Sequence, residues 1–248
     1  MFMDKLKQYV DKFNRNDEEI IRQSIGNQDA YDWLKDNIPL LDCPDHEVEE
    51  TYYFRWWVYR KHIKHTPEGY IVTEFLPDVY WAGKYNSINC AVGHHLYEGR
   101  WLRNGNRYLE ETIDFWLKGS GDVRSYSTWI ADAVYQYCMV KGDFSIAIKL
   151  LPDLVHNYEQ WEKEHLHESG LFWSIDDRDA MEYSISGNGL RPTLNSYMYA
   201  DALAIAKTAE KIGSDYADIY FRKAAQIKKA MQERLWDDRD QFFKVFPL

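Results

Sequence analysis

The chain has 248 residues, with 40 Asp and Glu against 30 Lys and Arg and a formal net charge of −10. That balance, with no clustering of basic residues, argues against nucleic acid or an anionic membrane as partner. Three separated cysteines, Cys43, Cys90 and Cys138, with no C-x-x-C pair, argue against a disulfide framework or a structural zinc site. No run reaches the roughly 18 apolar residues of a membrane span, and the start, Met-Phe-Met-Asp-Lys-Leu-Lys, lacks an apolar signal core. The sequence therefore reads as soluble, cytoplasmic as written and periplasmic or secreted if a signal peptide has been removed. Its length fits one domain, residues 1–248, with a substantial core.

Helical periodicity runs through the chain. Leu6, Tyr9, Val10, Phe13, Ile20, Ile21 and Ile25 predict a first helix over Asp4–Ile25, and a short one follows over Asp29–Asn37. The segment Glu47–His65 is strongly aromatic, with Tyr52, Tyr53, Phe54, Trp56, Trp57 and Tyr59. Further helices are expected over Asn86–Arg103, Arg107–Leu117, Ser125–Lys141, Phe144–His165, Thr193–Ile212 and Asp215–Leu235, with extended pieces at Tyr70–Phe75 and Gln241–Val245. Helices joined by short loops, with little strand, predict an all-α array of α/α hairpins that closes as a toroid or extends as a solenoid. No strict repeat marks a tetratricopeptide or ankyrin array. Asp176-Asp-Arg-Asp is echoed in Asp237-Asp-Arg-Asp, each after a Trp, as in equivalent loops of successive hairpins.

The densest chemistry lies in Glu168-Ser-Gly-Leu-Phe-Trp-Ser-Ile-Asp-Asp-Arg-Asp-Ala-Met-Glu-Tyr-Ser184, followed by Arg191-Pro-Thr-Leu-Asn-Ser-Tyr-Met198. Asp176, Asp177, Asp179 and Glu182 are crowded into one loop among aromatic residues. Mutual repulsion and apolar neighbours favour keeping one such carboxyl protonated, the state a general acid needs. Aromatic rings beside acids also suit a sugar cleft, because pyranose rings present C–H faces. The competing reading is a surface loop whose acids cap helices. Elsewhere, Trp81 lies in an aromatic loop with Glu74, Asp78 and Lys84, and Tyr126, Trp129 and Asp132 fall roughly on one side of an expected helix; for both, structural packing competes with ligand contact.

The histidines carry no metal set: His62 and His65 lack a third ligand nearby, and the adjacent His94 and His95 point apart on a helix. The acidic loop lacks EF-hand spacing. There is no Gly-rich phosphate cradle and no Gly-x-Ser-x-Gly elbow. No metal or other cofactor is implied.

Ser-Gly-x-x-x-Ser, Ala180-Met-Glu-Tyr-Ser184 and Thr193-Leu-Asn-Ser-Tyr-Met198 together resemble the central motifs of inverting (α/α)6-barrel glycosidases, the trehalase, processing α-glucosidase I and mannosylglycerate hydrolase group (families 37 and 63). The resemblance implies an incomplete (α/α)6 toroid, since a closed barrel of twelve helices takes on the order of 350 residues and this chain ends early. It also implies an oligosaccharide or glycoside substrate with α-linked gluco- or manno-configured sugars. Glu182 falls where that group has its acid, with Asp179 the runner-up. Trp81, Trp129, Trp173, Arg178, Arg191 and Asn195 are the implied sugar-binding or orienting residues. Thr193 replaces the group's usual Asp, and Trp81 is followed by Ala-Gly-Lys rather than by the group's Asp. An open barrel leaves apolar inner-helix surface uncovered, so self-association is expected. Two other classes stay open: a sugar epimerase working through His94 or His95, and a non-catalytic sugar-binding or interaction module.

Overall fold

In the computed structural model, which describes residues 2–180 and 187–248, the chain is all-α and built of helical hairpins. Helices α1 (Phe2–Arg15), α2 (Ala30–Asn37) and α3 (His46–Lys61) lead into the strand pair β1 (Ile63–Thr66) and β2 (Gly69–Val72). Next come α4 (Val92–Gly99), α5 (Asn106–Leu117), α6 (Ile130–Lys141), the short α7 (Ser145–Lys149) and α8 (Leu151–His165). Strands β3 (Trp173–Ser174) and β4 (Gly189–Leu190) precede α9 (Pro192–Glu210) and α10 (Tyr216–Arg234), and β5 (Trp236–Asp237) pairs with β6 (Phe242–Phe243). All three strand pairs are antiparallel, and each begins just beyond a long helix: α3, α8 or α10.

The chain packs as two compact units, Met1–Ser87 with Glu98–Phe115, and Ile88–Tyr97 with Trp116–Leu248. In the first, α1 buries Leu6, Val10 and Phe13, at i, i+4 and i+7, against Tyr53 and Trp57 of α3 and Leu34 of α2. Glu49 is fully buried there with its carboxylate satisfied by Lys5 Nζ at 3.0 Å, Tyr9 Oη at 2.9 Å and the Cys43 amide at 3.0 Å. A buried acid with three donors is tolerated where a bare one is not.

In the second unit α9 is the inner helix. Leu194, Met198, Ala202, Ala204, Ile205, Ala206 and Ala209 are buried on several of its sides, the pattern of a helix packed all round. Its alanines let neighbours approach closely. By contrast, α10 buries only the stripe Tyr220, Ala224, Ile227 and Met231, as an outer helix should. A polar tie crosses from α9 to α6: buried Asp201 accepts the Asp132 amide at 2.9 Å and also the Ala131 amide. These are orphan donors of the first turn of α6, whose own N-cap residue, Trp129, supplies no side-chain acceptor.

Several boundaries differ from the sequence expectation. The first helix stops at Arg15 rather than Ile25 because its end is claimed by tertiary partners: Asn14 receives the Trp57 indole N–H at 2.8 Å and donates to the Asn27 carbonyl at 2.8 Å. Ile20 is then exposed, not part of an apolar face. The third helix ends at Lys61, since residues 63–66 pair with 69–72. Only Val92–Gly99 of Asn86–Arg103 forms α-helix, and Ser125–Lys141 begins at Ile130, so Tyr126 and Trp129 precede the helix. The segment Phe144–His165 breaks at Leu150, where Pro152 opens a new helix.

Burial pushes the Asp201 carboxyl well above its usual range, with the Asp132 charge adding to the shift and the two backbone amides opposing it. Because its folded pKa is raised, its contribution to stability is full below about pH 4, the unfolded value, and is lost as pH rises toward the folded one. Asp201→Asn keeps an acceptor for α6 but removes that proton linkage. Between pH 5 and pH 8 the melting temperature of Asp201→Asn should therefore fall less than that of the wild type. Parallel melting curves for the two proteins across that range would contradict this account.

Candidate active site

Beyond α8 the chain forms a bridge between Leu166 and Phe172 and runs directly into β3. Asn195, in the first turn of α9 and fully buried, holds that strand in place. Its Oδ1 accepts the Phe172 amide at 2.8 Å, and its Nδ2 donates to the Phe172 and Arg191 carbonyls at 2.8 and 2.9 Å. The amide thus copies a strand neighbour, and all of these polar contacts are to main chain. The far edge of the hairpin is closed by residue 246: Leu190 and Phe246 exchange N–H···O bonds of 2.8 and 3.1 Å. Gly189, at φ +143°, permits this, because a Cβ there would lie 2.2 Å from the Phe246 carbonyl oxygen.

Inside the hairpin, Asp176 caps the turn Asp177–Asp179 by accepting the Asp177 amide at 2.8 Å, while the Asp176 amide donates to Asn188 Oδ1 at 3.0 Å. Asp177 and Arg178 face outward and Asp179 turns in. Asp179 Oδ2 meets Arg191 Nε at 2.7 Å, with both side chains almost wholly buried. Arg191 also donates through Nη1 to the Gly187 carbonyl. One guanidinium therefore pins both Asp179 and Gly187, the two ends of the loop that carries Glu182. Asp179 Oδ1 is buried with no hydrogen-bond partner among the described residues. Glu182 itself lies outside the described residues.

A second segment, residues 123–129, is laced to this hairpin. The Ser127 amide donates to the Arg178 carbonyl at 2.8 Å, and the Arg178 guanidinium sits over the Tyr126 ring at 5.1 Å. Buried Asn89 shapes the segment, donating to the Val123 and Tyr126 carbonyls at 2.7 and 2.6 Å and accepting the Tyr126 amide at 3.0 Å. Trp129 leaves it as a buried ring, 4.5 Å from Tyr197 and edge-on to His94 at 4.7 Å. Gly93 is what admits it, since a Cβ there would come within 2.3 Å of the indole. Tyr197 is half-buried, and burial followed by the nearby Asp179 charge raises its phenol above the ordinary value.

The structure thus brings Arg178, Asp179, Arg191, Asn195 and Trp129 to one region of the second unit. Trp173 belongs to the same hairpin but presents a partly open ring, 38% exposed, with the His165 ring beside it at 4.9 Å. Trp81 is in the other compact unit, half exposed and edge-on to Tyr80 and Phe75. Sequence reasoning missed Tyr197 and Asn89. Tyr197 sits two residues after Asn195 in the helix-start motif, whereas Asn89 has no local signal. Among the described residues no cluster of three or more His, Cys, Asp or Glu is placed to hold a metal ion, and no helix is long and apolar enough to cross a membrane.

Residues 84–248 match the model of the mannosylglycerate hydrolase MGH1-like glycoside hydrolase domain family. The whole chain is also similar to a solved structure of a protein named sialidase, with a TM-score of 0.96 and 40% sequence identity. The similarity covers 100% of this chain but only 24% of that one.

Arg191→Met should destabilise the fold by about 3–5 kcal/mol, because it leaves the Asp179 carboxylate buried without its cation. Adding Asp179→Leu should recover most of the loss. Chemical denaturation of both variants measures this; a single variant within about 0.5 kcal/mol of the wild type, as for an ordinary surface change, would show that the pair is no anchor.

Proposed function

The chain belongs to the mannosylglycerate hydrolase MGH1-like glycoside hydrolase family, and from that premise we propose that it hydrolyses α-linked gluco- or manno-configured glycosides by an inverting acid/base mechanism, with Glu182 as the general acid. The observation that carries the reading is the Arg191 clamp. Asp179 and Gly187 are held by one buried guanidinium, so the described residues on either side of Glu182 in the sequence are fixed. A catalytic carboxyl needs that kind of support, since small misplacements are costly to rate.

In this mechanism protonated Glu182 gives its proton to the glycosidic oxygen as the C–O bond breaks. A second carboxylate, about 6.5–9.5 Å away, removes a proton from the water that attacks the opposite face of the ring. The leaving sugar departs as an alcohol and the product anomer is inverted. Asp179, with one carboxylate oxygen bound to Arg191 and the other without a partner among the described residues, is the alternative acid. The partly exposed Trp173 ring and the outward Arg178 offer a stacking face and N–H donors to the sugar hydroxyls. Buried Trp129, Arg191 and Asn195 hold that surface in place, and His165 backs Trp173.

In the natural full-length protein, Glu182→Gln should lower hydrolysis of its α-glycoside substrate about a hundred- to ten-thousand-fold while sugar binding largely persists, because the amide keeps shape but lacks the proton. Undiminished turnover would remove Glu182 from the role; because Asp179 also anchors Arg191, a loss in Asp179→Asn would transfer the role only if that variant melts with the wild type. Proton NMR of the first-formed product distinguishes inversion from retention. A panel of α-glucosides, α-mannosides and a sialoside tests the substrate class, and turnover of the sialoside alone would overturn it.

A further inference from the structure

Helix α4 turns one side toward the segment 123–129. Val92 and Leu96 are fully buried, and a helical residue midway between two such positions lies on the opposite side. His94 is that residue. It is exposed, and its ring stands edge-on to Trp129 at 4.7 Å and 89°. Tyr97, three residues on, meets the same indole at 6.2 Å.

Trp129 connects His94 to the acidic hairpin. The indole lies 4.5 Å from the Tyr197 ring, and the Asp179 charge acts on the Tyr197 phenol. The segment that ends in Trp129 is tied to the same turn by the Ser127 amide, 2.8 Å from the Arg178 carbonyl. His94 thus extends the ring surface of Tyr197 and Trp129, and it is the member open to water. An edge-on contact fixes an imidazole through its ring and leaves its nitrogens unused. Among the described residues neither nitrogen of His94 has a hydrogen-bond partner.

We propose that His94 is a further substrate-binding residue of this site and hydrogen-bonds a sugar hydroxyl. The inference rests on the glycoside hydrolase reading of the hairpin and adds to it a contact from a different element. The ligand class follows from the two nitrogens. A neutral imidazole presents one N–H donor and one bare acceptor whichever tautomer it holds, and a hydroxyl both donates and accepts, so either nitrogen can make the bond. Trp129 supplies the rigidity: with the ring fixed, the directions of both nitrogens are set before the sugar arrives, which lowers the cost of ordering on binding.

NMR of the histidine ring protons reads this contact without turnover, in the natural full-length protein titrated with methyl α-D-glucopyranoside and methyl α-D-mannopyranoside. The His94 signals, assigned by their absence in the variants, should move saturably with at least one of the two. His94→Phe keeps a ring against Trp129 but has no nitrogen, and should weaken binding about three- to tenfold, the loss of one uncharged hydrogen bond. His94→Gln keeps a donor and an acceptor without the ring, and should restore most of that loss. A packing role predicts the reverse order. One monodeoxy analogue of the bound glycoside should bind the wild type about three- to tenfold more weakly than its parent, and His94→Phe should bind the two alike. Stationary His94 signals, a Phe variant that binds as the wild type does, or a deoxy penalty that persists in His94→Phe would each overturn the proposal. Hydrolysis that continues beside such a failure leaves the glycoside hydrolase reading intact, whereas a His94 contact without turnover of any α-glycoside removes that reading and keeps the contact.

Discussion

The second unit depends on one constraint: α9 is buried along most of its length, so a polar side chain on it cannot turn to water and has to find its partner in the protein. Arg191 at its entrance, Asn195 in its first turn and Asp201 farther along meet that demand in three ways. Arg191 takes the Asp179 carboxylate and the Gly187 carbonyl. Asn195 takes both polar groups of the Phe172 main chain. Asp201 takes the free amides at the start of α6. Each bond leads outward from one inner helix to a different element, and together they fix the acidic hairpin and the start of α6 relative to α9. An apolar residue at any of the three would pack, but it would leave the partner's main chain or charge unanswered.

Rigidity and access are divided between neighbouring residues by the alternation of an extended chain. Phe172 is buried and held through its main chain, and Trp173 beside it carries its ring toward solvent. The same division appears in the turn that follows: Asp177 and Arg178 face out, and Asp179 faces in to Arg191. His165 behind Trp173, Gly93 beneath Trp129 and Asn89 under the segment 123–129 are the supports that the chemistry itself would not reveal.

The two Asp-Asp-Arg-Asp stretches show how context sets the role of a sequence. Both lie in loops joining paired strands, as their echo implies. In the later copy Asp237 accepts the Arg239 and Asp240 amides at 2.9 and 3.0 Å and is bridged by Lys244, all at the surface. In the earlier copy the last Asp is carried into the interior, because Arg191 stands at the mouth of α9 to receive it. In the later copy the last Asp, Asp240, is also paired with a cation, Lys244, but at the surface, so what separates a surface turn from a buried anchor is where the cation stands in the fold.

The all-α class, most of the helices and the resemblance to a glycoside hydrolase group were legible in the sequence, because apolar spacing and short motifs are properties of neighbouring residues. Helix ends were less so. Arg15 ends α1 because Asn14 bonds to Trp57 and Asn27, and Lys61 ends α3 because residues 63–66 find 69–72; both depend on partners outside the window in which a period is read. The same holds at the site. Asp179, Arg191 and Asn195 stood out as polar residues in a motif, but that one guanidinium holds both ends of the loop, that Asn195 serves as a strand neighbour, and that Asp201 caps a helix 69 residues away were decided by tertiary structure alone, since each is a bond between segments whose proximity exists only once the apolar faces have packed.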